Sequence, residues 1–112
     1  VLFRWLASGG KVFIVTETPY LRNFQSFIPT YEARRAAGDP WPGFIDDVMA
    51  IAPERGASLP PKMHFLDPEV LTRVFQQAGF VVEKAHTFAR PEFPEDIQLD
   101  GRESVGIVAR KP

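Results

Sequence analysis

His64 stands in the stretch KMHFLDPE, residues 62–69, just before a run that carries helix-start signals. An imidazole titrates at about pH 6.5, so His64 can take up a proton near neutrality, which is what a general base must do. The same residue also fits a loop histidine that packs or hydrogen-bonds locally. Upstream lie Tyr20, Phe24, Phe27, Tyr31 and Trp41. They read either as the wall of a pocket for an apolar or aromatic ligand, or as a small core. Phe24 and Phe27 fit the core. Tyr20 and Trp41 carry a polar atom and sit near turn residues, so both readings stand for them. Glu17 and Thr18 close an apolar run at its carboxyl end. That is where ligands bind in open α/β sheets, and it is equally where a strand ends and a helix is capped. Asp46 and Asp47 do not make a metal pair, because adjacent carboxylates on a helix project about 100° apart and no histidine lies nearby. His86 alternates within a strand pattern and reads as structural or exposed. Arg34 and Arg35 read as a solvated face, and Arg102 with Glu103 as a local pair of little weight.

The absence of cysteine from all 112 residues removes disulfides, thiolate metal sites and thiol nucleophiles, and fits a reducing, cytoplasmic setting. A net charge of −1 gives no electrostatic footprint for nucleic acid. No apolar run approaches the roughly 20 residues of a membrane span. With 45% apolar and 24% charged residues, the chain is suited to one small globular domain. No nucleophile–base–orienter set and no phosphate loop occurs, which argues against a small complete enzyme of another class.

The elements that would hold these residues are unevenly marked. Leu2, Phe3, Trp5 and Leu6 have helical spacing over residues 1–7, and Gly9 and Gly10 end the pattern. KVFIVTE, Lys11–Glu17, is an apolar, β-branched run and predicts a strand buried on both faces. Residues 18–64 form a long proline-punctuated insert, expected to hold short helices: one over PTYEARRAAG, another over GFIDDVMAIAP. Asp67, Pro68 and Glu69 open a helix whose stripe of Val70, Leu71, Val74, Phe75 and Ala78 ends at Gly79. Residues 80–88 and 104–111 predict two strands around a proline-rich loop. The strand before the crossover and the strand after it should run parallel.

Three marks in this order resemble the C-terminal third of a class I S-adenosylmethionine-dependent methyltransferase. They are LASGGKVFIVTE with Gly9-Gly10, LTRVFQQAGFVVEKA with Ala78-Gly79-Phe80, and GRESVGIVARKP. Ser8 stands where that family often has proline. The resemblance implies an α/β fold: part of a three-layer arrangement with a three-stranded mixed sheet in the order first, third, second, and residues 65–112 forming a helix and terminal hairpin. It implies a small-molecule methyl acceptor, with Glu17, Thr18, Tyr20 and Trp41 walling its pocket and His64 as the base. The family's glycine-rich cofactor turn after a strand is missing, so S-adenosylmethionine is expected to bind a longer parent and not this chain. The reading is therefore of a fragment that begins inside a structural unit. A chain cut there should leave parts of Val12, Phe13, Ile14, Val15, Val105, Ile107 and Val108 bare. It should then form a homodimer through the Lys11–Glu17 strand or the bare sheet face. The alternative is a non-catalytic α/β module that binds a partner through its proline- and aromatic-rich insert.

Overall fold

The computed structural model describes residues 2–54 and 58–112. Val1, where the first helix was expected to begin, and residues 55–57 of the insert lie outside the described residues. Helix α1 spans Leu2–Trp5 and strand β1 spans Lys11–Glu17. A 3-10 segment, Arg22–Phe27, runs into helix α2, Ile28–Ala36. Strand β2 (Phe44–Ile45), helix α3 (Val48–Ile51) and strand β3 (Met63–His64) complete the insert. Helix α4 (Pro68–Gln77) leads to strand β4 (Val81–Phe88), and strand β5 (Ser104–Arg110) comes last.

The main sheet has the order β1-β5-β4. Each ladder is antiparallel, with Ile14 opposite Ile107 on one side of β5 and Ala85 opposite Ile107 on the other. The expected mixed sheet is thus corrected. β1 and β4 point the same way, as a crossover requires, but β5 lies between them and removes the parallel pairing. Direct opposition puts Val12, Ile14, Val105, Ile107, Ala109, Val82 and Ala85 on one face, together with Leu71 and Phe75 of α4, Phe80, and Phe3 and Leu6. Fully burying side chains of this size contributes about 1.5–3 kcal/mol each.

The opposite face is open. Phe13 is 70% and Val15 57% exposed, so β1 is buried on one face and not on both as its apolar run suggested. Val105 and Ile107 are covered, contrary to expectation, because alternation turns them towards α4.

Helix α4 forms where its signals stand. Asp67 Oδ1 accepts the Val70 N–H at 2.8 Å, Pro68 fills the first turn, and Gly79 takes a φ of 102° past the end. That glycine also lets the chain pass Phe3, whose ring lies edge-on to Phe80 at 5.2 Å. Lys111 Nζ donates to the carbonyls of Phe3 and Leu6, satisfying acceptors at the end of α1.

The insert builds a second core from Tyr20, Leu21, Phe24, Phe27, Tyr31, Ile45, Val48, Ala52 and Phe65. The loop between β4 and β5 adds Phe93, Ile97 and Leu99. The expectation of helices alone in the insert is corrected by β2 and β3, where Phe44 pairs with His64 and Ile45 with Met63. The pattern GFIDDVMAIAP is therefore split. Its first residues join β2, and Asp47 caps the short α3 through the Ala50 N–H.

Candidate functional site

Two of the five sequence candidates meet. Trp41 and His64 lie edge-to-face with ring centroids 5.4 Å apart, and Phe44 approaches His64 the same way at 5.9 Å. They line an open cavity of about 700 Å³ together with Arg34 and Asp39. Trp41 is 46% exposed, a large apolar surface left to solvent.

Each wall has a local cause. The β2–β3 pair sets His64 opposite Phe44. Asp39 Oδ1 accepts the Trp41 N–H at 2.8 Å, an Asx turn that fixes the indole's entry. Arg34, near the end of α2, donates from Nη1 to the carbonyls of Phe44 at 2.7 Å and Pro42 at 3.3 Å. Arg73 on α4 donates to the Pro40 carbonyl and lies 4.9 Å from the Trp41 ring centre, a cation–π contact. Two residues beyond His64, the Leu66 N–H donates to the Glu17 carbonyl at 3.2 Å, tying this segment to the carboxyl end of β1.

The imidazole of His64 is held below its ordinary value of 6.5. Partial burial among the rings lowers it, and the Asp67 carboxylate pulls weakly the other way. His64 is thus neutral at pH 7 and able to accept a proton.

The other candidates lie elsewhere. Thr18 is fully buried and its hydroxyl is spent on backbone: it donates to the Arg102 carbonyl at 2.5 Å and accepts the Tyr20 N–H at 3.1 Å. Tyr20 is buried edge-on to Tyr31 at 5.6 Å, under the Arg102 guanidinium at 3.6 Å. Both face a cleft of about 180 Å³ with Arg35 and Asp67. Glu17 borders a third cavity, about 90 Å³, between the insert core and the late loop.

Beside the second cleft, the Tyr31 hydroxyl donates to Asp67 Oδ2 at 2.8 Å. Burial first, and then this hydrogen bond to an acidic partner, push the Tyr31 phenol well above its usual range. Arg35 pairs with Glu69 and lies over Tyr31. Arg102 pairs with Asp100 and not with Glu103, whose buried carboxylate accepts the Gly101 N–H at 2.7 Å and the Arg90 N–H at 3.3 Å.

Arg34, Asp39 and Phe44 are the wall residues that sequence reading missed, and Arg73 lies against Trp41 without lining the cavity. Arg34 looked like a solvated charge, and only its i-to-carbonyl reach across the turn DPWPGF reveals its place. Among the described residues no group of three or more His, Cys, Asp or Glu is placed to hold a metal ion, and no helix is long and apolar enough to cross a membrane. No protein-family model matches the chain, and neither a curated protein nor a solved structure does.

Proposed function

We propose that the chain is the C-terminal part of a class I S-adenosylmethionine-dependent methyltransferase, and that the Trp41–Phe44–His64 cavity is its acceptor pocket. One observation carries this reading. The last strand lies antiparallel between the other two, in the order β1-β5-β4, as the resemblance requires of its final three strands. The exposed Phe13 and Val15 agree with it, since further parts of a longer chain would cover that face.

The residues present do not fit the methyl donor itself. The paired glycines precede β1, and their amides are spent inside the fold: Gly9 N–H on the Lys111 carbonyl at 2.7 Å, Gly10 N–H on the Ala7 carbonyl at 2.8 Å. A cradle for an adenosyl group needs such amides free, after a strand. In this reading the 112 residues bind and orient the acceptor. The aromatic walls hold its apolar part, and neutral His64 takes the proton released on methylation.

The reading is tested by a methyl-transfer assay with labelled S-adenosylmethionine on the longest product of the reading frame. His64→Ala should lower turnover more than acceptor binding. Unchanged turnover would leave His64 as a wall residue only. Absence of transfer to any acceptor would favour a binding module that works through the exposed insert.

A further inference from the structure

We propose that the Trp41 cavity takes a planar aromatic anion: an aryl ring carrying a carboxylate or similar group. The apolar part of the ligand is set by three rings. His64 stands near-perpendicular to both Trp41 and Phe44, at 83° and 90°, so the walls meet at angles that admit a flat ring. A volume of about 700 Å³ lies within the range of small-molecule sites.

The charge is set by Arg34 in the lining, with Arg73 held against the Trp41 ring. Arg34 and Arg73 spend donors on backbone carbonyls, Arg34 on Pro42 and Phe44 and Arg73 on Pro40, and neither has an acidic partner among the described residues. Within the lining, Arg34 stands beside one carboxylate, Asp39, whose Oδ1 is already engaged by the Trp41 N–H. A guanidinium fork with free N–H groups beside an aromatic wall binds a carboxylate in plane. The rival ligand is an organic cation caged by aromatic rings. Arg73 already occupies a face of Trp41, and Arg34 puts a positive charge into the cavity itself, so a cation would be repelled. The binding stands on this geometry; only the later methylation of the bound anion rests on the function proposed above.

The test uses the 112-residue chain and three isosteric probes: 2-naphthoate, 2-naphthylmethanol and 2-naphthylmethylammonium. The chain has two tryptophans, so nitrogen-15 spectra should show two indole N–H signals, from Trp5 and Trp41. Naphthoate should shift the Trp41 signal to saturation and leave Trp5 in place. The alcohol should bind about tenfold more weakly, as loss of one charge-assisted contact implies, and the cation more weakly still. Arg34→Gln should remove most of the preference for naphthoate over the alcohol, and Arg34→Lys should restore part of it. A cation that binds as tightly as naphthoate, or no saturating shift of Trp41 with naphthoate, overturns the assignment. Naphthoate binding with no methyl transfer by a longer product would remove the enzyme reading and leave the site standing.

The free edge of β1 carries a second inference, independent of the cavity. The Lys111 N–H bonds the Gly10 carbonyl and the Thr18 N–H bonds the Glu103 carbonyl, so even-numbered residues of β1 bond to β5. The backbone groups of Lys11, Phe13 and Val15 therefore point to the other edge, which has no strand partner among the described residues. No proline, bulge or central charge protects it. We infer that two copies of the isolated 112-residue chain pair here antiparallel about Ile14, whereas in a longer protein a further strand would take this edge. In that register odd residues oppose odd residues, Phe13 of one copy faces Val15 of the other, and Lys11, which also pairs with Glu83 of its own chain at 3.0 Å, faces Glu17 at both ends. Opposite charges and apolar pairs then coincide with the outward hydrogen-bonding positions. The chain has no cysteine, so single replacements report cleanly. An oxidised mixture of Phe13→Cys and Val15→Cys chains should give disulfide dimers well in excess of either variant alone. A monomer by light scattering at micromolar concentration, or equal cross-linking in all three samples, overturns this pairing.

Discussion

Asp67 is the residue on which the two cores hinge. One carboxylate oxygen caps α4 through the Val70 N–H, and the other accepts the buried Tyr31 hydroxyl. Tyr31→Phe strands a buried acceptor and should cost about 1–3 kcal/mol in urea unfolding. Asp67→Ala loses the cap as well and strands the phenol, so about 2–4 kcal/mol is expected, with Asp67→Asn recovering most of it. A smaller loss from Asp67→Ala than from Tyr31→Phe would contradict this double role. At His64 the sign of the pH dependence follows from its depressed imidazole. The unfolded chain protonates first, so His64's contribution is complete above about pH 6.5 and falls away as acid takes the pH through the lower folded value. A proton titration of the ring by NMR should place its midpoint below 6.5, and Trp41→Ala, by admitting water, should raise it. A midpoint above 6.5 in the unaltered chain would show that Asp67 outweighs burial. The sequence marked Trp41 and His64 by type. It gave no sign of Arg34 and Arg73, because a charge on a helix surface looks the same whether it faces solvent or a cavity.

The legible elements are those with local signals. Helix α4 carries a cap, a proline and a closing glycine within thirteen residues of sequence, and β1 and β5 are compact apolar runs. The pair β2–β3 has none of this. Each strand holds two residues, they lie about twenty positions apart, and their pairing is decided by tertiary contact. Yet that pair brings His64 to Phe44, so the site could not be assembled from the sequence. Gly43 makes the approach possible. A Cβ added there would lie 2.1 Å from the Phe65 carbonyl oxygen, and the Phe65 N–H bonds the Gly43 carbonyl at 2.9 Å. Gly43→Ala must push β2 away from the residues after β3, at a cost of roughly 1–3 kcal/mol, and open the aromatic wall. Reduced stability together with a changed Trp41 fluorescence maximum is expected. A variant of unaltered stability and spectrum would mean that the hairpin does not set the cavity.

The whole molecule has two cores and one uncovered sheet face. The run VFIV could not reveal that face, because four apolar residues in a row fit burial on both sides as well as a strand waiting for a cover. The strand order was legible only through the resemblance, which places the last strand in the middle; composition and periodicity do not dictate it. That order, the bare Phe13 and Val15, and glycine amides already used within the fold stand behind the proposal that these residues form the C-terminal, acceptor-binding part of a methyltransferase. Calorimetric titration of S-adenosylmethionine into the 112-residue chain, and into the longest product of its reading frame, tests this most directly. The account predicts no binding by the chain alone and a dissociation constant in the micromolar range for the longer product, equivalent to about −8 kcal/mol. Micromolar binding by the 112 residues, or a longer product that fails to bind, would contradict it.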